Sequence, residues 1–188
     1  TAIKGETLRN RVRAAVAQAE SAREERRARN RRLVELRHEA DTDVLTGLAT
    51  RRYAERFITN SGTRTDRREQ TGVVMLDLDH FKQVNDGFGH AAGDEVLRQI
   101  GKILRKHVSP TDLVARWGGE EFIVFRQSAT LTETWLWAQK LRDAVRSEVS
   151  VQNGPERVTI SIGIDVLPLT ELSLDTINRA DRALYLAK

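Results

Sequence analysis

An α+β fold, with helices laid on a mixed or antiparallel sheet that has a hairpin at its centre, is what this sequence predicts. Three observations carry that expectation. Stretches with helical spacing alternate with short apolar runs along most of the chain. Gly72-Val73-Val74-Met75-Leu76-Asp77-Leu78-Asp79 is a continuous apolar run ending in carboxylates, the pattern of a buried central strand whose tip reaches solvent. Two further apolar runs, Leu113 to Trp117 and Phe122 to Phe125, flank Gly118-Gly119, so a tight hairpin with positive φ at the glycine pair is expected.

The elements follow in order. Leu8, Val12, Ala15, Ala19, Ala22, Arg26, Arg29, Leu33, Leu36 and Ala40 keep a 4-3 alternation, a heptad seam with eight apolar positions of ten. Four alanines and two arginines make it a weak parallel coiled coil, with a lone amphipathic helix as the alternative. Residues 1–40 therefore read as a helical linker, and 41–188 as the globular body. Arg51 to Ile58 is expected to be helical, and Ser61 to Thr71, without an apolar residue, to be a polar loop. After the carboxylate-tipped strand come a short helix, Phe81 to Asp86, and a longer one, Ala91 to Val108, with glycines from Gly87 to Gly93 turning the chain between them. Beyond the hairpin, Thr132 to Val145 reads as a helix whose Trp135, Leu136, Leu141 and Val145 are expected to pack the core. Val158 to Leu167 alternates as a strand, and Leu174 to Ala187 closes the body as a helix.

Composition narrows the class. The 188 residues, 39% hydrophobic, suit one domain of about 150 residues with an appendage. No apolar run is long enough to span a bilayer, and no signal-peptide pattern opens the chain. The absence of cysteine excludes disulfides and thiolate metal sites and fits a reducing, cytoplasmic location. Opening at Thr1, the sequence is expected to be a fragment or a processed product. Residues 1–40 carry 11 Lys+Arg against 6 Asp+Glu, and the remaining 148 carry 20 against 21, so the net charge of +4 belongs to the N-terminal segment. Its basic residues alternate with acids and no aromatic is present to stack on a base, so no nucleic-acid partner is expected.

The carboxylates point to chemistry. Glu120 and Glu121, adjacent at a hairpin tip, repel unless a cation neutralises them, and hard divalent cations prefer carboxylate oxygen. Strand alternation places Asp77 and Asp79 on one face. Asp79 also suits the N-cap of the following helix, a role that does not account for Asp77. Two acidic clusters, one at a strand tip and one at a neighbouring hairpin, are able to hold two Mg²⁺ ions and align an attacking oxygen with a leaving phosphate.

Several separated motifs carry a family resemblance. They are Asp43-Val44-Leu45-Thr46-Gly47-Leu48, Asp77 to Asp86, Phe88-Gly89-His90 with Gly93-Asp94, Arg116-Trp117-Gly118-Gly119-Glu120-Glu121-Phe122, Val158 to Gly163, Arg179-Ala180-Asp181 and Tyr185 to Lys188. In this order and spacing the sequence resembles the GGDEF diguanylate cyclases, in the GGEEF version, from about Asp41 to Lys188. The resemblance implies the nucleotidyl-cyclase and polymerase-palm architecture, a sandwich with a central sheet flanked by helices. It also implies condensation of two GTP into cyclic di-GMP across a two-fold dimer, with two Mg²⁺ (or Mn²⁺) per site.

The same resemblance assigns roles. Asp77, Glu120 and the Leu78 carbonyl are metal ligands, assisted by Glu121, and Glu120 is also the proton acceptor. Lys82 and Lys188 serve the phosphates, as does Arg116 unless it pairs with a neighbouring carboxylate. Asn85 and Asp94 read guanine, because an acceptor-only carboxylate suits the base's two donors. His90 is a further substrate contact or a structural residue. The layout implies an upstream sensory domain joined through the N-terminal helix, which would help bring two domains together. Three departures stand out: Ser109-Pro110-Thr111-Asp112 lacks the arginine of the family's product-inhibition motif, Thr50 replaces a customary asparagine, and the usual Gly-Arg-Asn-type tail is missing after Lys188. An active cyclase is the leading expectation, with a non-catalytic GTP-binding sensor on the same fold as the alternative.

Overall fold

The computed structural model describes residues 41–61 and 70–188, together with residues 18, 23–27, 29 and 32. The chain divides into two units, Thr1–Ala40 and Asp41–Lys188. In the first, the described residues are helical and exposed; of the heptad seam only Arg26 and Arg29 fall among them, and the other eight positions lie outside the described residues. Positions 62–69, most of the expected polar loop, lie outside them as well. Among the described residues no helix is long and apolar enough to cross a membrane.

The second unit runs β1 (Ala49–Thr50), α1 (Arg51–Ser61), β2 (Gln70–Leu78), α2 (Phe81–Phe88), α3 (His90–His107), β3 (Leu113–Arg116), β4 (Glu121–Gln127), α4 (Leu131–Glu148), β5 (Ile160–Pro168), a 3-10 turn (Leu169–Glu171) and α5 (Leu174–Ala187). The five strands form one sheet in the order β1-β3-β4-β2-β5. β1 pairs with β3 in parallel and every other pairing is antiparallel, so the sheet is mixed with β4 at its centre. The α+β palm-like sandwich expected from the sequence is the observed fold.

Alternation along the strands builds two cores. Val74, Leu76 and Leu78 of β2 with Phe122 and Val124 of β4 face α2, α3 and α4, meeting Phe81, Val84, Val96, Leu97, Ile100, Leu141 and Val145. The intervening residues, Val73 and Met75 with Ile123 and Phe125, face α1 and α5 and meet Ala54, Ile58, Ile177, Ala180 and Leu184. β2 is apolar without interruption from Val73 to Leu76, and again at Leu78, because both of its faces are covered.

Some boundaries differ from expectation. β1 is only two residues long and leaves no periodic trace. α4 buries Thr134, Ala138, Leu141, Ala144 and Val145, whereas Trp135 and Leu136 are 52% and 49% exposed, so the core assignment of those two is corrected. The inward stripe of α4 runs through Thr134, Ala138, Leu141, Ala144 and Val145, and Trp135 and Leu136 fall outside it. The helix starts at a capping box: Thr130 Oγ1 accepts from the Glu133 amide at 3.3 Å, and the Thr130 amide donates to Glu133 Oε2 at 2.8 Å. Thr130→Ala is expected to cost about 1 kcal/mol. In a chain of this size that is a fall of about 2–4 °C in melting temperature by circular dichroism, and an unchanged midpoint would show the box to be dispensable.

Candidate active site

The end of β2 meets the β3–β4 hairpin at one end of the sheet, between its inner strands. Asp77 lies opposite Glu121 on β4 and Ser161 on β5, and is 6% exposed. The Leu78 amide donates to the Glu120 carbonyl at 3.3 Å, which ties Glu120 to the tip of β2. Trp117 and Gly118 amides both donate to the Glu121 carbonyl, at 2.8 and 3.2 Å, and close the turn. Neither glycine of the turn has positive φ; among the described residues the glycines that do are Gly47 and Gly89. The expectation of positive φ at the pair is therefore corrected. A Cβ on Gly118 would meet the end of the Glu121 side chain, which would have to swing aside. The Gly119 carbonyl accepts from Arg116 Nη2 at 2.7 Å and Nε at 3.2 Å.

Charge is concentrated at this end. Lys188, the residue after α5, sets its Nζ 2.8 Å from Asp77 Oδ1. Apart from that ammonium, this buried oxygen has no hydrogen-bond partner. Burial, and then the negative charge of Asp77, push the Glu120 carboxyl above its ordinary range. The Asp77 carboxylate beside it holds the Lys188 ammonium above the usual lysine range. Two crowded carboxylates, one of them buried against a cation, form a hard oxygen donor set that fits a divalent metal. Among the described residues no three His, Cys, Asp or Glu side chains gather into such a group. The Glu121 carboxylate lies over Gly118, adds a smaller push to Glu120, and lines a cavity of about 370 Å³ with Arg51, Trp117, Asn178 and Asp181.

The other expected residues lie on α2, α3 and β3. Lys82 is exposed in the first turn of α2. That helix is preceded by His80 in the left-handed region, φ 58°, ψ 26°, with no side-chain cap. Asp79 is thus not the N-cap, which corrects the capping expectation: its carboxylate instead accepts hydrogen bonds of 2.6 Å from both Thr159 Oγ1 and Ser161 Oγ. Asn85 of α2 lies against α3 so closely that a Cβ on Gly93 would overlap its amide oxygen, and this brings Asn85 beside the next residue, exposed Asp94. His90 is exposed at the start of α3.

Arg116 takes the pairing alternative, with Nη1 3.2 Å from Asp43 Oδ2. Asp43 in turn accepts from the Thr46 amide at 2.9 Å and the Thr46 hydroxyl at 2.7 Å. The motif from Asp43 to Leu48 is therefore a braced turn that steadies the arginine holding Gly119. Sequence reasoning gave no role to Asp43, Thr159 or Ser161. The available signal was the alternate spacing of Thr159 and Ser161 in a strand destined to lie beside Asp77. Asp112, the remainder of the inhibition motif, spends its carboxylate on the Ser109 and Gln127 amides, at 2.9 and 3.1 Å.

The family model described as the GGDEF domain of diguanylate cyclases matches residues 40–188. This chain belongs to the GGDEF domain family. Diguanylate cyclase DgcP of Pseudomonas aeruginosa is 36% identical over 180 residues, covering 95% of this chain and 27% of that protein. Response regulator PleD of Caulobacter vibrioides is 39% identical over 157 residues, covering 79% of this chain and 34% of that protein. Diguanylate cyclase A of Treponema denticola is 34% identical, covering 78% of this chain and 41% of that protein. The chain thus spans well under half the length of these relatives. Among solved structures, the coiled coil and GGDEF domain of DgcB from Caulobacter crescentus, in complex with c-di-GMP, aligns with TM-score 0.79 and 27% identity over 90% of this chain and 91% of that one. SiaD of Pseudomonas aeruginosa, in complex with its activator SiaC, aligns with TM-score 0.73 and 31% identity over 97% of this chain and 71% of that one.

Proposed function

We propose that this GGDEF domain is a diguanylate cyclase that condenses two GTP into cyclic di-GMP and releases pyrophosphate. The observation that carries the reading is the meeting of Asp77 and Glu120 at the tip of β2, with the Lys188 ammonium against them. The family generally needs a divalent metal. Here Asp77, Glu120 and the Leu78 carbonyl would hold two Mg²⁺ (or Mn²⁺), with Glu121 assisting, and bound metal would offset the phosphate charge and acidify the attacking hydroxyl. Glu120, whose carboxyl is raised by burial and by Asp77, is the better placed of the two to accept the 3′-hydroxyl proton. Lys82, Lys188 and Arg116 face the triphosphate, Arg116 by exchanging Asp43 for it. Asn85 and Asp94 read the guanine edge, and His90 borders the nucleotide.

Two nucleotides must face each other with each 3′-hydroxyl aimed at the other's α-phosphorus, so the competent form is a two-fold dimer. A coiled coil in residues 1–40, downstream of a sensory domain, would raise the effective concentration of the second domain. Incubation with GTP and Mg²⁺ followed by chromatography tests the activity: cyclic di-GMP is expected. GTP binding without product would mean a non-catalytic sensor. Asp94→Ser is expected to relax base preference, since a hydroxyl donates to adenine N1 as well as accepting from guanine. Product formation from GTP alone, ATP alone and a mixture measures this, and unchanged strict use of GTP would remove Asp94 as the discriminator.

A further inference from the structure

Asp79 is tied to one distant segment of the chain by three hydrogen bonds. Its backbone amide donates to the Thr159 carbonyl at 3.0 Å, and its carboxylate accepts from the hydroxyls of Thr159 and Ser161, 80 and 82 residues further on. Hydrogen bonds to an ionised acceptor are about twice as strong as neutral ones, and two on one carboxylate fix its direction as well as its distance. Immediately after it, His80 takes a left-handed conformation that a non-glycine residue holds only when its surroundings enforce it. The clamp supplies that enforcement at the turn joining Asp77 and Leu78 to the helix carrying Lys82 and Asn85.

The contacts close into a ring. Ser161 is the cross-strand neighbour of Asp77, and β5 continues to Gly163, where α5 approaches so closely that a Cβ would overlap the Ala180 carbonyl. α5 ends at Lys188, whose ammonium returns to Asp77. Asp79 thus couples the turn that bears one set of reacting groups to the strand that positions the other.

We propose that Asp79 is a positioning residue, which through Thr159 and Ser161 sets the spacing between the Asp77–Leu78 tip and the Lys82 and Lys188 ammonium groups. The inference rests on the cyclase reading. Asn85 is held in the far half of its helix by packing on Gly93 of α3, the helix that carries Asp94. Loosening the clamp is therefore expected to lower kcat while leaving KM for GTP nearly unchanged. A displacement of about 1 Å at reacting groups costs about a hundredfold in rate.

The test is steady-state kinetics on the full chain for Asp79→Ala, Asp79→Asn, the Thr159→Val/Ser161→Ala double variant, and the combination of all three alanine and valine changes. The expected result is a kcat loss of about a hundredfold in Asp79→Ala and in the double variant, no further loss in the combination, and substantial recovery in Asp79→Asn, whose amide still engages both hydroxyls. The double variant retains the carboxylate. A normal rate there with a dead Asp79→Ala would make Asp79 a direct ligand and overturn the proposal, as would a rate within twofold of wild type in Asp79→Ala. Should Asp79→Ala not fold, the double variant and Asp79→Asn still decide. Should the wild type make no cyclic di-GMP, the cyclase reading fails separately, and amide hydrogen exchange at residues 78–82 judges the clamp. Faster exchange in both Asp79→Ala and the double variant supports it; unchanged exchange in either overturns it.

Discussion

Asp77→Asn is expected to abolish cyclic di-GMP formation while leaving the domain folded, and Glu120→Gln is expected to do the same. Both replacements are isosteric amides, so the strand tip and hairpin keep their shape. What changes is charge. Asp77 is 6% exposed and faces the Lys188 ammonium, so its carboxylate acts in a poorly solvated place where a formal charge is strongly felt. If two divalent metals are held here as proposed, removing one carboxylate withdraws stabilisation from the phosphates as charge develops, a loss of about 4 kcal/mol or roughly a thousandfold in rate. Stability should change little, because Lys188 is nearly half exposed and Glu120 loses a repulsive neighbour when Asp77 is neutralised. Rates are checked by product chromatography and folding by the melting temperature of the metal-free protein. A variant retaining the wild-type rate would remove that residue from the metal site.

Gly163→Ala is expected to be the most destabilising small substitution in the body. The Cβ would overlap the Ala180 carbonyl and the Leu184 amide and lie 2.8 Å from Leu184 Cα, all backbone atoms of α5. No rotamer relieves that, so the helix must lift from the strand. Ile177, Ala180 and Leu184 would then lose their packing on Val73, Met75, Ile123 and Phe125. Overpacking of this kind costs about 3 kcal/mol, which corresponds to a fall of about 6–12 °C in melting temperature. A midpoint within 2 °C of wild type would show that α5 shifts freely.

Much of the fold was legible because its central strands follow simple patterns. The run from Gly72 to Leu78 is apolar at almost every position since both faces of β2 are covered, and the hairpin after it was marked by turn residues. β1 left no trace because two residues carry no period. Trp135 misled because large apolar side chains suggest burial, whereas the α4 stripe that reaches the core begins with Thr134 and Ala138. At the site, Asp77 and Glu120 were legible from their place at a strand tip and a hairpin. The partners of Asp79 and Arg116 were not, since Thr159 and Asp43 lie 80 and 73 residues away and only the sheet brings them near.

The position of β5 at the sheet edge bears on how the enzyme comes into being. β2 reaches β4 once α2, α3 and β3 have been made, whereas its pairing with β5 joins Asp77 to Ser161 and must wait for a longer stretch of chain to be made and to close. During synthesis, an emerging polypeptide therefore presents its acidic cluster before the lysine and the two hydroxyls that complete it. On the cyclase reading, a nascent domain is expected to be inactive until β5 and α5 have docked.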